Sequence, residues 1–199
     1  MISIYNIKPK FQKLLQPVLK WLHAAKVSAN QITISSIFLS ILIGIAFWNA
    51  DKYRICFLIL PVGLLLRMAL NALDGMMARQ YNQQTKKGEL LNEVGDIISD
   101  LFIFFPLLKF ENDQVYVIGI FLTLSIINEF SGVMGKIVGK VRRYDGPMGK
   151  SDRAFVISIY GVLSYFGPSI ILAYADYLFI IVVGLLVVST ITRLKKAIA

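Results

Sequence analysis

The chain has 199 residues, 56% of them hydrophobic, with a formal net charge of +9. The length is one domain's worth of protein, and the apolar share excludes an ordinary soluble domain. The charge makes no case for nucleic-acid binding, because membrane topology and attraction to anionic lipid account for most of it.

The chain opens with "MISIYNIKPKFQKLLQPVLKWLHAAK", which lacks a short apolar run followed by a small-residue cleavage site, so no cleavable signal peptide is expected. Phe11, Leu14, Leu15, Val18, Leu19 and Leu22 recur at helical spacing, with Lys10, Lys13 and Lys20 off that stripe. The pattern predicts an amphipathic interfacial helix within 1–28, lying on an anionic leaflet. Pro17 is expected to interrupt and kink it. The lone His23 has no second histidine to share a metal with and reads as a surface residue.

Six windows follow that approach or exceed the roughly 20 apolar residues needed to cross a hydrocarbon core of about 30 Å. They run over about 31–50, 54–75, 90–108, 114–135, 153–172 and 174–192. The fold class is therefore an all-α integral membrane protein, a single domain over 1–199 with a six-helix bundle over 31–193. The lone Cys56, in the second window, cannot close an internal disulfide and reads as a packed apolar residue. Lys and Arg gather in the first 26 residues, after the second and fourth windows, and in the tail, whereas the other side offers only Lys52, Arg54 and Lys109. Both termini should be cytoplasmic.

Between the second and third windows stands "NALDGMMARQYNQQTKKGELLNEVGDIISD", residues 71–100, where polarity is least tolerated. Asn71, Asp74 and Ala78 share one helical face, and Gly88, Asn92, Asp96 and Asp100 recur every fourth residue on the next helix. If those faces meet, Asn71, Asp74, Asn92 and Asp96 converge near the membrane surface. An all-oxygen cluster without Cys or His suits Mg²⁺ or Mn²⁺ and a phosphate substrate. Gly75, Ala78 and Gly88 leave room for close helix approach or for a flat base against the backbone.

The pattern Asn71-x2-Asp74-Gly75-x2-Ala78-Arg79-x8-Gly88-x3-Asn92-x3-Asp96 resembles the motif of the CDP-alcohol phosphatidyltransferase family, with Asn71 and Asn92 where that motif has Asp. "VSANQITISS" is similar to the family's lead-in to its first span, and "GPMGKSDRAF" to its basic segment before the fifth. "NALDG" and "LNEVGDIISD" are most similar to an uncharacterised bacterial inner-membrane subgroup. The resemblance implies transfer of a phosphatidyl or other substituted phosphate group from a CDP-linked lipid, CDP-diacylglycerol above all, to a small hydroxyl acceptor, with release of CMP. It further implies metal ligation at Asn71, Asp74, Asn92 and Asp96, with Asp96 as general base and Asp74 beside it in catalysis. Gly75, Ala78, Arg79 and Gly88 would hold the nucleotide, and the chain would form a homodimer in the inner membrane.

The two asparagines halve the carboxylate charge while keeping amide oxygens able to ligate, so weaker metal binding is expected, with one firm ion and a second arriving with substrate. Arg67 lies about 10 Å deeper than Asp74, and Asp100 about 12 Å deeper than Asn92 on the antiparallel helix, so an Arg67–Asp100 ion pair is expected to floor the site. The rival reading makes Asp100 a metal ligand after a one-turn slip. Lys136, Lys140, Arg142, Arg143, Lys150 and Arg153 either bind an anionic acceptor such as a phosphorylated polyol, foremost through Lys150, Arg153, Lys136 and Arg142, or simply obey the inside rule. Glu129 reads as a structural partner for one of them. Two rivals stand beside the enzyme: a catalytically impaired scaffold, which the asparagines would suit, and a transporter, which clustering of charge at one membrane face opposes.

Overall fold

The computed structural model describes residues 8–199, and its described residues form helices and connecting turns without a strand. Helix α1 (Lys8–Ala24) precedes α2 (Ala29–Trp48), α3 (Ile59–Gln80), α4 (Lys86–Phe104), the single turn α5 (Leu107–Phe110), α6 (Val115–Gly139), α7 (Lys150–Phe166) and α8 (Pro168–Ile198). Residues 1–7 of the expected interfacial segment lie outside the described residues. Helix α1 runs unbroken through Pro17, contrary to the expected interruption. Leu19 on its inner face is fully buried, while Leu14 and Trp21 face outward.

Among the described residues, four stretches are long and apolar enough to cross a membrane: Ala29–Trp48, Arg54–Gln80, Val115–Gly139 and Ala173–Ile198. α4, with 19 residues, carries charge along most of its length, whereas α7, with 17, carries it only in its first turn. The fifth and sixth segments divide earlier than expected. Gly167 caps α7 and Pro168 opens α8, because proline sits well at a helix start and poorly within one. α8 then continues past the expected end into its basic tail.

Chain chemistry sets the helix starts. Ser28 and Gln31 form a reciprocal capping box on α2, and Thr85 Oγ1 accepts from Gly88 N at 2.9 Å to start α4. α2 packs against both α3 and α4, whereas α6 packs along α8. The α2–α4 approach requires Gly44, since a Cβ there would lie 2.3 Å from the Phe102 carbonyl oxygen. Phe47, Leu60, Phe104, Phe121, Tyr160 and Phe179 belong to the large apolar core; a smaller one, with Leu19, Ile32, Leu73, Met76 and Met77, lies under α1. Cys56 packs at the edge of the larger. Phe38, Leu65, Phe130 and Ile181 face outward, an apolar exterior suited to lipid.

The connection from α6 to α7 folds back over the bundle. Arg143 N donates to Gly132 O at 3.0 Å, and Lys196 Nζ donates to Asp145 Oδ1 at 2.5 Å, holding the Asp145 carboxyl below its usual range. Gly146, at φ +94°, lies against Ser189, where a Cβ would stand 2.7 Å from its Cα. This return delivers Lys150 to the first turn of α7.

Candidate active site

Asp74 is buried near the end of α3, with Leu73 and Met76 of the smaller core on either side in sequence. Its Oδ2 accepts from Thr33 Oγ1 of α2 at 2.9 Å. One turn deeper, Asn71 Oδ1 accepts from Ser36 Oγ at 2.7 Å, and Asn71 Nδ2 points toward Asp96 Oδ1 of α4 at 3.5 Å. Lys150 Nζ pairs with that same Asp96 oxygen. Asn92 stands one turn before Asp96, half-buried, and no described residue hydrogen-bonds to its amide.

α3 and α4 meet through side chains, Asn71 and Arg67 of α3 reaching Asp96 and Asp100 of α4. α2 lies against both, and α7 lies against α3. The gap is spanned by side chains. Thr33 and Ser36 on α2 are the site residues that sequence reasoning missed.

Beneath the carboxylates the charges close on one another. Arg67 Nη1 lies 2.6 Å from Asp100 Oδ1, and Arg67 Nη2 donates to Asp96 O at 3.2 Å. Arg153 Nη2 donates to Asp100 Oδ2 at 2.7 Å and to Glu129 Oε1 at 2.9 Å. Glu129 also takes Arg142 at 3.0 Å and has Arg193 within 3.8 Å, while Arg142 bonds Glu93 at 2.8 Å. Mutual pairing is what lets so many charges stand in an apolar bundle.

This network engages two of the expected acceptor ligands. The Arg153 side chain is 0% exposed with its bonds directed inward, and Arg142 is held between two glutamates. Both serve the interior because their partners lie on α4 and α6. Lys136 pairs with Glu89 on the exposed rim, and Lys150 lies at Asp96 itself. Asp100 is engaged by two arginines, Arg67 and Arg153.

Of the expected nucleotide residues, Arg79 is exposed and folds back over Gly75, where a Cβ would stand 3.2 Å from Nη1. At Gly88 a Cβ would lie 2.6 Å from Asn30 Oδ1, so that glycine is held under α2. Ala78 packs on the smaller core. His23 stacks on Tyr81 at 3.5 Å between ring centroids, tying α1 to the end of α3.

The donor set of two carboxylates, two amides and two hydroxyls is all oxygen and fits a hard divalent cation held by Asp74 and Asp96. Among the described residues no three of His, Cys, Asp and Glu gather as a metal-holding group. Asn71 directs its amide N–H toward Asp96 and gives its oxygen to Ser36, so it would have to turn over to ligate.

A sequence model of the CDP-alcohol phosphatidyltransferase family matches residues 26–188. The chain is 44% identical over 161 residues to the inner membrane protein YnbA of Escherichia coli (strain K12), covering 81% of this chain and 80% of that one. Its fold matches phosphatidylinositol phosphate synthase of Mycobacterium tuberculosis. The crystal structure of that enzyme with CDP-DAG bound superposes with a TM-score of 0.75 at 18% identity, covering 93% of this chain and 94% of that one. The structure in complex with manganese and citrate gives 0.73 at 19%, covering 91% and 87%.

Proposed function

Because the chain belongs to the CDP-alcohol phosphatidyltransferase family, we propose that it transfers a phosphatidyl or other substituted phosphate group from a CDP-linked lipid, CDP-diacylglycerol first among them, to a small hydroxyl acceptor. The observation that carries this reading is the placement of Asp74 on α3 and Asp96 on α4 at one end of the bundle, with Asn71 of α3 reaching toward Asp96. The acceptor oxygen attacks phosphorus, its proton passes to the Asp96 carboxylate, and the bond to CMP breaks. Asp74, oriented by Thr33, and Asp96 would hold Mg²⁺ or Mn²⁺, with Asn92 and a turned-over Asn71 as amide ligands. Bound there, the ion neutralises diphosphate charge.

Gly75, Ala78, Arg79 and Gly88 take the cytidine end of the donor. Arg79, exposed and without a carboxylate partner among the described residues, is free to swing from Gly75 onto phosphate. Lys136 and Lys150 remain to attract an anionic acceptor. On this reading α2, α3, α4, α6, α7 and α8 are six spans of one domain in a bacterial inner membrane. α1 lies on the cytoplasmic leaflet, both termini are cytoplasmic, and the chain works as a homodimer.

The deciding assay is CMP release from CDP-diacylglycerol by the purified protein with Mg²⁺ or Mn²⁺ and a panel of hydroxyl acceptors. Metal-dependent release that falls by about 100-fold or more in Asp74→Asn supports the transferase. No release with any acceptor favours a catalytically impaired scaffold, the second reading that Asn71 and Asn92 motivate.

A further inference from the structure

We propose that the ammonium of Lys150 is the resident second cation of this site, standing where a second divalent ion would otherwise be needed, so that each chain binds one Mg²⁺ or Mn²⁺. The inference rests on reading the site as a phosphotransferase centre.

Three observations converge on it. One oxygen of Asp96 is already taken by donors. Lys150 Nζ and Asn71 Nδ2 both address its Oδ1, and the Asn71 oxygen that could have faced a metal is turned to Ser36 at 2.7 Å. Lys150 is also held in place. Gly149 and Asp152 cap the start of α7, with Gly149 N donating to Asp152 Oδ2 at 3.1 Å, and Arg153 locks the same turn to Asp100. Asp96 and Asp100 are one turn apart on α4, as are Lys150 and Arg153 on α7, so two parallel rungs join the helices.

The third observation is the charge count. Asp74 and Asp96 supply about −2, which one divalent ion with Lys150 already exceeds by about one unit; a second ion would leave about +3 at a site whose carboxylates are buried. The two asparagines remove the negative charge that would hold that second ion. Lys150 thereby becomes a positioning residue for Asp96 as well as a cation near the diphosphate.

The test counts Mn²⁺ bound to the purified full chain in detergent, without substrate, by titration against the electron paramagnetic resonance signal of free Mn²⁺. One ion per wild-type chain with an uncoupled spectrum is expected, and Lys150→Arg should keep that count. The combination Asn71→Asp, Asn92→Asp, Lys150→Met should bind two ions and give an exchange-coupled spectrum. Two ions on the wild type, or none, overturn the proposal without needing any variant; so does a folded triple variant that still binds one. CMP release separates the two readings. Two ions with release sink the count alone, whereas one ion without release sinks the transferase and leaves the count standing.

Discussion

Arg67 reaches Asp100 at 2.6 Å across the gap between α3 and α4, and Asp100 turns its other oxygen to Arg153 at 2.7 Å. One carboxylate thus answers two buried guanidinium groups on two helices. Asp100→Asn leaves both partly unpaired, and breaking a buried pair in this way costs on the order of 3–5 kcal/mol. The expected outcome is a large drop in thermal stability in detergent. The charge swap Arg67→Asp with Asp100→Arg should fail to rescue it, because the new arginine would face Arg153. A swap that restores wild-type melting would mean that Arg153 does not depend on Asp100.

Thr33 connects α2 to the motif. Its hydroxyl donates to Asp74 at 2.9 Å and has Ala29 O as a second acceptor at 3.1 Å. Thr33→Val keeps the shape and removes the donor, which frees the Asp74 carboxylate to rotate. Outer partners of metal ligands typically contribute 10- to 100-fold in affinity. Mn²⁺ binding should weaken by about 10-fold with little change in melting temperature, and unchanged binding would show that Thr33 does not orient Asp74.

What could be read from sequence followed spacing along single helices. Asn71 with Asp74, Asn92 with Asp96, and the depth match of Arg67 with Asp100 all come from a helical period applied to polar residues in apolar surroundings. What escaped depended on which helices are neighbours. Thr33 and Ser36 gave no signal because hydroxyls within an apolar helix can bond their own preceding carbonyls, as Ser40 does to Ser36 O at 2.7 Å. Arg153 reads in the sequence as open to an acceptor because nothing along the chain reveals that its side chain reaches Asp100 of α4 and Glu129 of α6. The boundary at Gly167 and Pro168 was written in the sequence, but continuous hydropathy across it concealed the turn.

His23 and Tyr81 stack at 3.5 Å with planes 9° apart, and α1 is otherwise held mainly by Leu15, Leu19 and Leu22 on the smaller core. A ring pair of this kind contributes about 0.5–1.5 kcal/mol. His23→Ala should therefore speed amide exchange across α1, while His23→Phe keeps it slow. Equal exchange in both would show that the apolar stripe alone seats the helix.

Stability should depend on pH through the end of the bundle remote from the carboxylate pair. Glu111, in the turn between α5 and α6, accepts from the Tyr160 hydroxyl at 2.6 Å. Burial pushes its carboxyl above the ordinary range; the Tyr160 hydrogen bond opposes that shift, and Asp176 and Asp113 add to it. With the folded value above the unfolded one, the folded chain binds more protons between the two, so stability is fully present below the unfolded value and is lost as pH rises through the folded one. Glu111→Gln still accepts from Tyr160 and does not titrate. Its melting temperature should match wild type at about pH 4 and exceed it at about pH 7, with the gap opening between. A constant difference across that range would mean that Glu111 ionises as freely in the folded protein as in the unfolded chain.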